Sequence, residues 1–294
     1  MKKILFSLML LIAAVNMTYS QKKPCCDDEG GTTGSETKST EITAPNVMAS
    51  FGNDEGFKNE HPQPLDFKLT DGKGTMVTYK TADGTDAYGY EVKADKPTNN
   101  WVLVFHEWYG LNDYVKREAE EIATKLGNVN VLAVDLYDGK VAANNDEAVK
   151  YVNSVDNARA LSIIGGARDH AGSSAVFATL GWCFGGSWSN QAAIELGSRC
   201  NACIIYYGMP EQNKERLALL KAPVLGIFAN KDTKITPEVA AKFEADLKEL
   251  NIPASIYEFE ANHGFANPSN PKHDAAATEE AKEKTYGFLM EKMK

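Results

Sequence analysis

Positive charge is scarce in this chain of 294 residues. It has 31 lysines and arginines and 40 aspartates and glutamates, which gives a net charge of −9. No cluster of lysine or arginine interrupts this acidic background. An acidic protein repels nucleic acid and anionic membrane surfaces. We therefore expect no nucleic-acid partner.

Long apolar runs are also rare, and the one that opens the chain is too short to cross a bilayer. It covers residues 4–15, follows Lys2 and Lys3, and gives way to polar residues up to Ser20. This order is typical of a secretory signal peptide, with an uncleaved anchor helix as the alternative. We predict a signal peptide over residues 1–20, export to the periplasm or the medium, and no membrane contact after cleavage. Loss of its two lysines would leave a net charge of −11.

Cysteine is sparse, with five residues in all. Cys25 and Cys26 lie in a polar tail, whereas Cys200 and Cys203 open an apolar run as a C-x-x-C sequence. Residues three apart on a strand point to opposite faces, which favours two buried thiols over a redox pair, the alternative. An odd cysteine in an exported protein is a candidate reactive thiol, and here that residue is Cys183.

The remaining chain divides into a polar stretch and one folded domain. Residues 21–60 have few core-forming side chains, so we predict a disordered polar linker there. Residues 61–294 suit a single α/β domain. Segments 76–80 and 87–93 flank an Asp-Gly turn and predict an antiparallel hairpin. Beyond it, strands alternate with helices, which predicts a three-layer α/β sandwich with a mostly parallel sheet and helices on both faces.

Serine is missing from the place where many α/β enzymes carry their nucleophile, because no Gly-x-Ser-x-Gly sequence occurs. The chain instead reads Gly181-Trp182-Cys183-Phe184-Gly185-Gly186 directly after the apolar run 174–180. A sharp strand-turn-helix bend lifts a nucleophile above the sheet, and glycines permit the close approach that this bend needs. We predict that Cys183 is a nucleophile, against the alternative of a small core residue.

Reactive side chains follow four of the predicted strands. They are Glu107, Cys183, Asp232 and His263, in the order nucleophile, acid, histidine that α/β-hydrolases show for the last three. Active sites in parallel sheets lie at the carboxyl ends of strands. His263 would exchange a proton with the thiol, and Asp232 would orient and stabilise the imidazole. Taken singly, Asp232 also fits a turn or helix cap, and His263 a loop histidine.

A tetrahedral intermediate needs two donors for its oxyanion. We assign these to the backbone N–H groups of Phe184 and Trp108. His106 precedes Glu107 on the opposite face of its strand and is interpreted as a packing residue. The other histidines, His61, His170 and His273, show no metal-ligand spacing, so we expect neither a metal nor a cofactor.

Four segments together resemble the dienelactone hydrolase family of α/β-hydrolases, and the resemblance spans roughly residues 70–292. They are His106-Glu107-Trp108-Tyr109-Gly110-Leu111-Asn112, Asp135-Leu136-Tyr137, the segment around Cys183, and Ala261-Asn262-His263-Gly264-Phe265-Ala266. The resemblance implies an α/β-hydrolase fold and a Cys183, Asp232, His263 triad. It also implies that Glu107 lies close to a thiol that stays protonated at rest, which would protect it from oxidation.

The chain departs from that family at two positions. Members that cleave dienelactone hold its carboxylate with two arginines, where this chain has Asn145 and Asn267. Asparagine cannot replace the bidentate grip of a guanidinium, and the acidic chain does not attract anions. We therefore expect a small neutral ester or lactone as substrate. The alternatives are a thioesterase, a glycan acetyl-esterase, a peptidase or a non-catalytic binding protein on the same fold.

Overall fold

The computed structural model describes residues 41–294, which contain eight strands in one sheet. The strands are β1 (Thr75–Lys80), β2 (Asp86–Val92), β3 (Asn100–Phe105), β4 (Asn130–Val134), β5 (Val176–Trp182), β6 (Cys200–Tyr206), β7 (Val224–Ala229) and β8 (Ala254–Phe259). The α-helices of this part are α1 (Ala44–Ser50), α2 (Glu55–Lys58), α3 (Asp113–Leu126), α4 (Asn145–Ser154), α5 (Asn157–Ala171), α6 (Phe184–Leu196), α7 (Lys214–Leu217), α8 (Pro237–Glu249) and α9 (Ala275–Lys292).

The sheet is mostly parallel, as the sequence predicts. Its strand order is β1-β2-β4-β3-β5-β6-β7-β8. The hairpin of β1 and β2 is antiparallel and pairs antiparallel with β4, and every later pairing is parallel. The carboxyl ends of β3, β5, β7 and β8 therefore meet at one edge of the sheet, where the predicted reactive residues follow them.

The central strands are buried on both faces. Residues 102–105 of β3 and 131–134 of β4 have no exposed surface. Successive strand residues point to opposite faces, so a fully buried run requires cover on both sides. Helices provide that cover, and the fold is the predicted α/β-hydrolase sandwich.

The start of the domain differs from the predicted linker over residues 21–60. Residues 41–60 belong to the folded domain, because they form α1, a short 3₁₀ turn and α2. Ala44 and Met48 are fully buried on one side of α1, and Phe57 of α2 is fully buried as well. The Asp54 side chain caps α2 by accepting a hydrogen bond from the Phe57 N–H at 2.9 Å.

The predicted signal peptide, the first half of the predicted linker, and Cys25 and Cys26 lie outside the described residues. Within residues 41–294, no helix is long and apolar enough to cross a membrane.

We predict that Met48→Ala lowers the free energy of unfolding by about 2–5 kcal/mol, because it opens a cavity beneath α1. Chemical denaturation of the full chain measures this. The matched control is Met76→Ala, since Met76 is 54% exposed on β1. Equal unfolding midpoints for the two variants would contradict the packing of α1 onto the domain.

Candidate active site

The turn from β5 into α6 holds Cys183 in a backbone conformation that few side chains adopt. Its φ is +55° and its ψ is −121°, and such strain is concentrated at functional sites. A Cβ on Gly181 would collide with the Gly185 backbone, and one on Gly185 would collide with the backbone at the end of β3. The glycines of the motif thus let α6 begin directly against the sheet, with Cys183 at the turn.

Asp232 and His263 form a buried pair beyond the ends of β7 and β8. Asp232 Oδ2 lies 2.5 Å from His263 Nδ1, and its other oxygen accepts hydrogen bonds from the N–H groups of Lys234 and Ile235. Burial opposes the charge on both partners, but their mutual attraction outweighs it. The pKa of Asp232 is therefore lowered, and that of His263 is raised well above its usual value.

The Cys183 thiol lies next to this pair without any exposed surface. Its Sγ and one ring nitrogen of His263 are within 4.8 Å of each other. Burial raises the pKa of the thiol, against the lowering effect of His263. Within residues 41–294, no atom hydrogen-bonds to Nε2 of His263.

A second histidine, His61, contacts the thiol, and sequence reasoning missed it. His61 Nε2 lies 3.2 Å from Cys183 Sγ, and its Nδ1 lies 2.8 Å from the carbonyl oxygen of Phe57. A carbonyl only accepts hydrogen bonds, so Nδ1 carries the proton and Nε2 accepts from the thiol. Burial lowers the pKa of His61 to about 3, which keeps the ring neutral.

Trp108 and Asn145 hold His61 over the thiol. The Trp108 indole stacks on the His61 ring, with centroids 4.6 Å apart. Trp108 Nε1 donates to Asn145 Oδ1 at 2.9 Å, while the Asn145 amide donates to the carbonyl oxygens of Lys58 and His61. The Tyr109 hydroxyl donates to the same His61 carbonyl at 2.9 Å. The hydrogen bonds of the Asn145 side chain therefore connect the segment after α2 to the loop after β3.

Glu107 is half-buried beside the site, and its hydrogen bonds go to residues other than Cys183. It accepts from the Tyr207 hydroxyl at 2.9 Å and from the Asn267 amide, rather than from Cys183. Burial raises the pKa of Glu107 to about 7, although these two donors and His263 act to lower it. Its negative charge raises the pKa of the Cys183 thiol, so it influences the sulfur through space.

The two predicted oxyanion donors belong to residues that follow β5 and β3. Phe184 is the first residue of α6, so its N–H group has no acceptor within the helix, and it acts to lower the pKa of the adjacent thiol. Trp108 follows β3, and its carbonyl accepts from the Tyr137 hydroxyl at 3.1 Å.

Two other features of the sequence are structural. His106 is fully buried, with Nδ1 donating to the Glu107 carbonyl at 2.8 Å and Nε2 accepting from the Leu136 N–H. Cys200 and Cys203 are unpaired and buried, and burial raises the pKa of Cys203 to about 11. Thiols held so firmly protonated are poorly suited to redox exchange.

A small cleft adjoins the Glu107 side of the site. Its walls combine aromatic rings with acidic and amide groups, and none of its lining residues is lysine or arginine. They are Glu107, Tyr109, Gly110, Asn112, Tyr114, Val115, Glu118, Trp182, Ala266, Asn267, Pro268 and Ser269. The cleft therefore offers apolar contact and no cation for a carboxylate.

Comparison with known proteins shows the family of the chain. A model of the dienelactone hydrolase family matches residues 86–293. The chain belongs to that family. Carboxymethylenebutenolidase 1 of Cupriavidus pinatubonensis is 24% identical over 233 residues, which cover 74% of this chain and 95% of that relative. The protein is accordingly a dienelactone hydrolase-like hydrolase.

Solved structures share the fold at low identity. The dienelactone hydrolase of Anabaena variabilis is 18% identical, with a TM-score of 0.58, over 79% of this chain and 100% of that one. A dienelactone hydrolase-like promiscuous phosphotriesterase from metagenomic libraries is 22% identical, with a TM-score of 0.63, over 76% of this chain and 100% of that one. The family match begins at residue 86, so His61 lies outside it.

We predict that His61→Ala speeds alkylation of Cys183 by iodoacetamide several-fold, because the substitution uncovers a thiol that has no exposed surface. Mass spectrometry of the Cys183 peptide measures the rate. His170→Ala is the control, since His170 hydrogen-bonds Glu91 on another part of the domain. An unchanged rate would show that His61 does not limit access to the sulfur.

Proposed function

We propose that this hydrolase cleaves neutral carboxylic esters or lactones through a thioester on Cys183. The observation that carries the proposal is the Asp232–His263 pair beside a thiol at a strained strand-to-helix turn. Each group has the residue type and the neighbour that nucleophilic catalysis requires.

The reaction begins when the neutral form of His263 accepts the proton of the thiol. Sγ attacks the carbonyl carbon, and the N–H groups of Phe184 and Trp108 stabilise the oxyanion. Collapse of this intermediate breaks the C–O bond, and His263 gives its proton to the leaving alcohol. Water, deprotonated by His263, then hydrolyses the thioester, and Asp232 stabilises the imidazolium in both steps.

The preference for a neutral substrate follows from the two asparagines and the cleft. Asn145 is occupied by Trp108 and the segment after α2, and Asn267 by Glu107 and Ser269. Neither offers a cation to a carboxylate, and Glu107 on the cleft wall repels one when it is charged. The name of the Cupriavidus relative therefore gives the reaction class here and not the substrate.

Access to the sulfur requires movement near His61. Cys183 has no exposed surface, and the ring of His61 hydrogen-bonds its sulfur. In the proposal, substrate enters along the cleft and displaces His61 from Sγ, which frees the thiol proton for His263. The proposal also keeps the prediction of export through the segment 1–20. In an oxidising compartment, a thiol that is protonated at rest resists oxidation.

We predict that Cys183→Ala lowers hydrolysis of p-nitrophenyl acetate at least about 10³-fold, because it removes the nucleophile. Cys200→Ala is the matched control, since that thiol is also buried but lies on β6 away from the site. Equal inactivity of wild type and Cys183→Ala in folded, reduced protein would favour a binding protein instead.

We predict that Glu107→Gln lowers the pKa of Cys183, because it removes a carboxylate whose negative charge opposes the thiolate. With a pKa of about 7, that carboxylate is largely charged above pH 7 and largely neutral below it. The pH dependence of Cys183 alkylation measures the shift, which should show as faster alkylation of the variant above pH 7. Slower alkylation of the variant would contradict the prediction that the charge of Glu107 raises the pKa of Cys183.

We predict that kcat/KM is at least about tenfold higher for the methyl ester of a lactone carboxylic acid than for its free carboxylate, a difference of about 1.4 kcal/mol. The two compounds share their reacting group and differ in charge. Equal values, or a preference for the carboxylate, would contradict the assignment of a neutral substrate while leaving the catalytic residues in place.

A further inference from the structure

Three potential metal ligands converge at the buried thiol. One ring nitrogen of His61, one of His263, and Cys183 Sγ all lie within 4.8 Å of one another, and we call them the thiol–imidazole cluster. His61 Nε2 and Sγ are only 3.2 Å apart, close to the separation of two ligands on a tetrahedral ion. Imidazole nitrogen and thiolate sulfur are the ligands that Zn²⁺ prefers.

Nδ1 of each imidazole already has a hydrogen-bond partner, as the nitrogen that does not bind the metal has in zinc proteins. His61 Nδ1 donates to the Phe57 carbonyl at 2.8 Å, and His263 Nδ1 pairs with Asp232 at 2.5 Å. Such outer partners fix the ring and its tautomer, and they leave Nε2 to bind the metal. Both rings therefore present the correct nitrogen toward the sulfur.

One of these nitrogens lacks a partner of its own. Among the described residues, nothing hydrogen-bonds to His263 Nε2, although its side chain is buried. A buried polar atom without a partner carries a free-energy penalty, which coordination would remove. Carboxylate oxygens of Glu60 and Asp232 also lie within 4.8 Å of a His263 nitrogen, so the surrounding field favours a cation.

We propose that the thiol–imidazole cluster binds one Zn²⁺ through Cys183 Sγ, His61 Nε2 and His263 Nε2, and that the bound ion blocks hydrolysis. Binding forms a Zn–S bond and releases two protons to solvent, one from the thiol and one from Nε2 of the His263 imidazolium that Asp232 favours, so that both imidazoles bind as neutral rings. Water fills the fourth position of the tetrahedron. The inhibition of hydrolysis rests on the proposed function, because the ion occupies the nucleophile and its base. The binding of the ion does not rest on it.

His61 supplies the third ligand of this site. It comes from the segment before β1, outside the residues that match the family model. Without His61, Cys183 and His263 supply only two ligands, which hold Zn²⁺ weakly. The bound ion would also link that segment to the edge of the sheet. It would block access from the cleft to the sulfur.

Cobalt titration of the reduced, chelator-treated full chain tests the site. A tetrahedral Co²⁺ bound by one thiolate gives a sulfur-to-metal charge-transfer band, and zinc competition then gives the affinity. We expect one equivalent, loss of the band in Cys183→Ser, and affinity at least about tenfold weaker in His61→Ala. His170→Ala should match wild type, and a Cys25→Ser/Cys26→Ser variant excludes binding by the tail.

Absence of the band in wild type, or an unchanged band in Cys183→Ser or His61→Ala, would overturn the proposal. Circular dichroism shows whether each variant is folded. Because the band does not depend on turnover, a protein that binds Co²⁺ without hydrolysing esters would refute the proposed function alone. If esters are hydrolysed, Zn²⁺ should inhibit wild type at concentrations at least about tenfold lower than those that inhibit His61→Ala.

Discussion

The close approach of α6 to the sheet is the constraint on which the site depends. Gly181 and Gly185 allow it, since a side chain at either position would collide with backbone. The turn between them forces Cys183 into a positive φ and points the start of α6 at the thiol. The strand ends that carry Glu107, Asp232 and His263 are placed by the same parallel sheet.

Burial then sets the charge of each group around the sulfur. It raises the pKa of the thiol, lowers the pKa of His61 to about 3 and raises the pKa of Glu107 to about 7. His263 is the exception, because Asp232 lies against it and favours its charged form. The raised pKa of the thiol favours its protonated form, which resists oxidation, while Asp232 favours the imidazolium that forms when His263 accepts the thiol proton.

The sequence predicted the features that repeat along the chain and missed those that depend on distant contacts. The predicted hairpin segments 76–80 and 87–93 match β1 and β2 to within one residue at each end, because an Asp-Gly turn marks the hairpin. The helices between 44 and 58 were missed, since elements of seven and four residues are too short for a period and depend on tertiary packing. His61 lies 122 positions from Cys183, so no local pattern connects them.

Mass spectrometry of the protein quenched during turnover of a slow ester tests the central claim most directly. We predict that the acyl group is found on the Cys183 peptide and that its mass shift disappears when deacylation is complete. Acylation of a serine or lysine instead, or steady turnover in a protein that carries no acyl group at Cys183, would contradict the account.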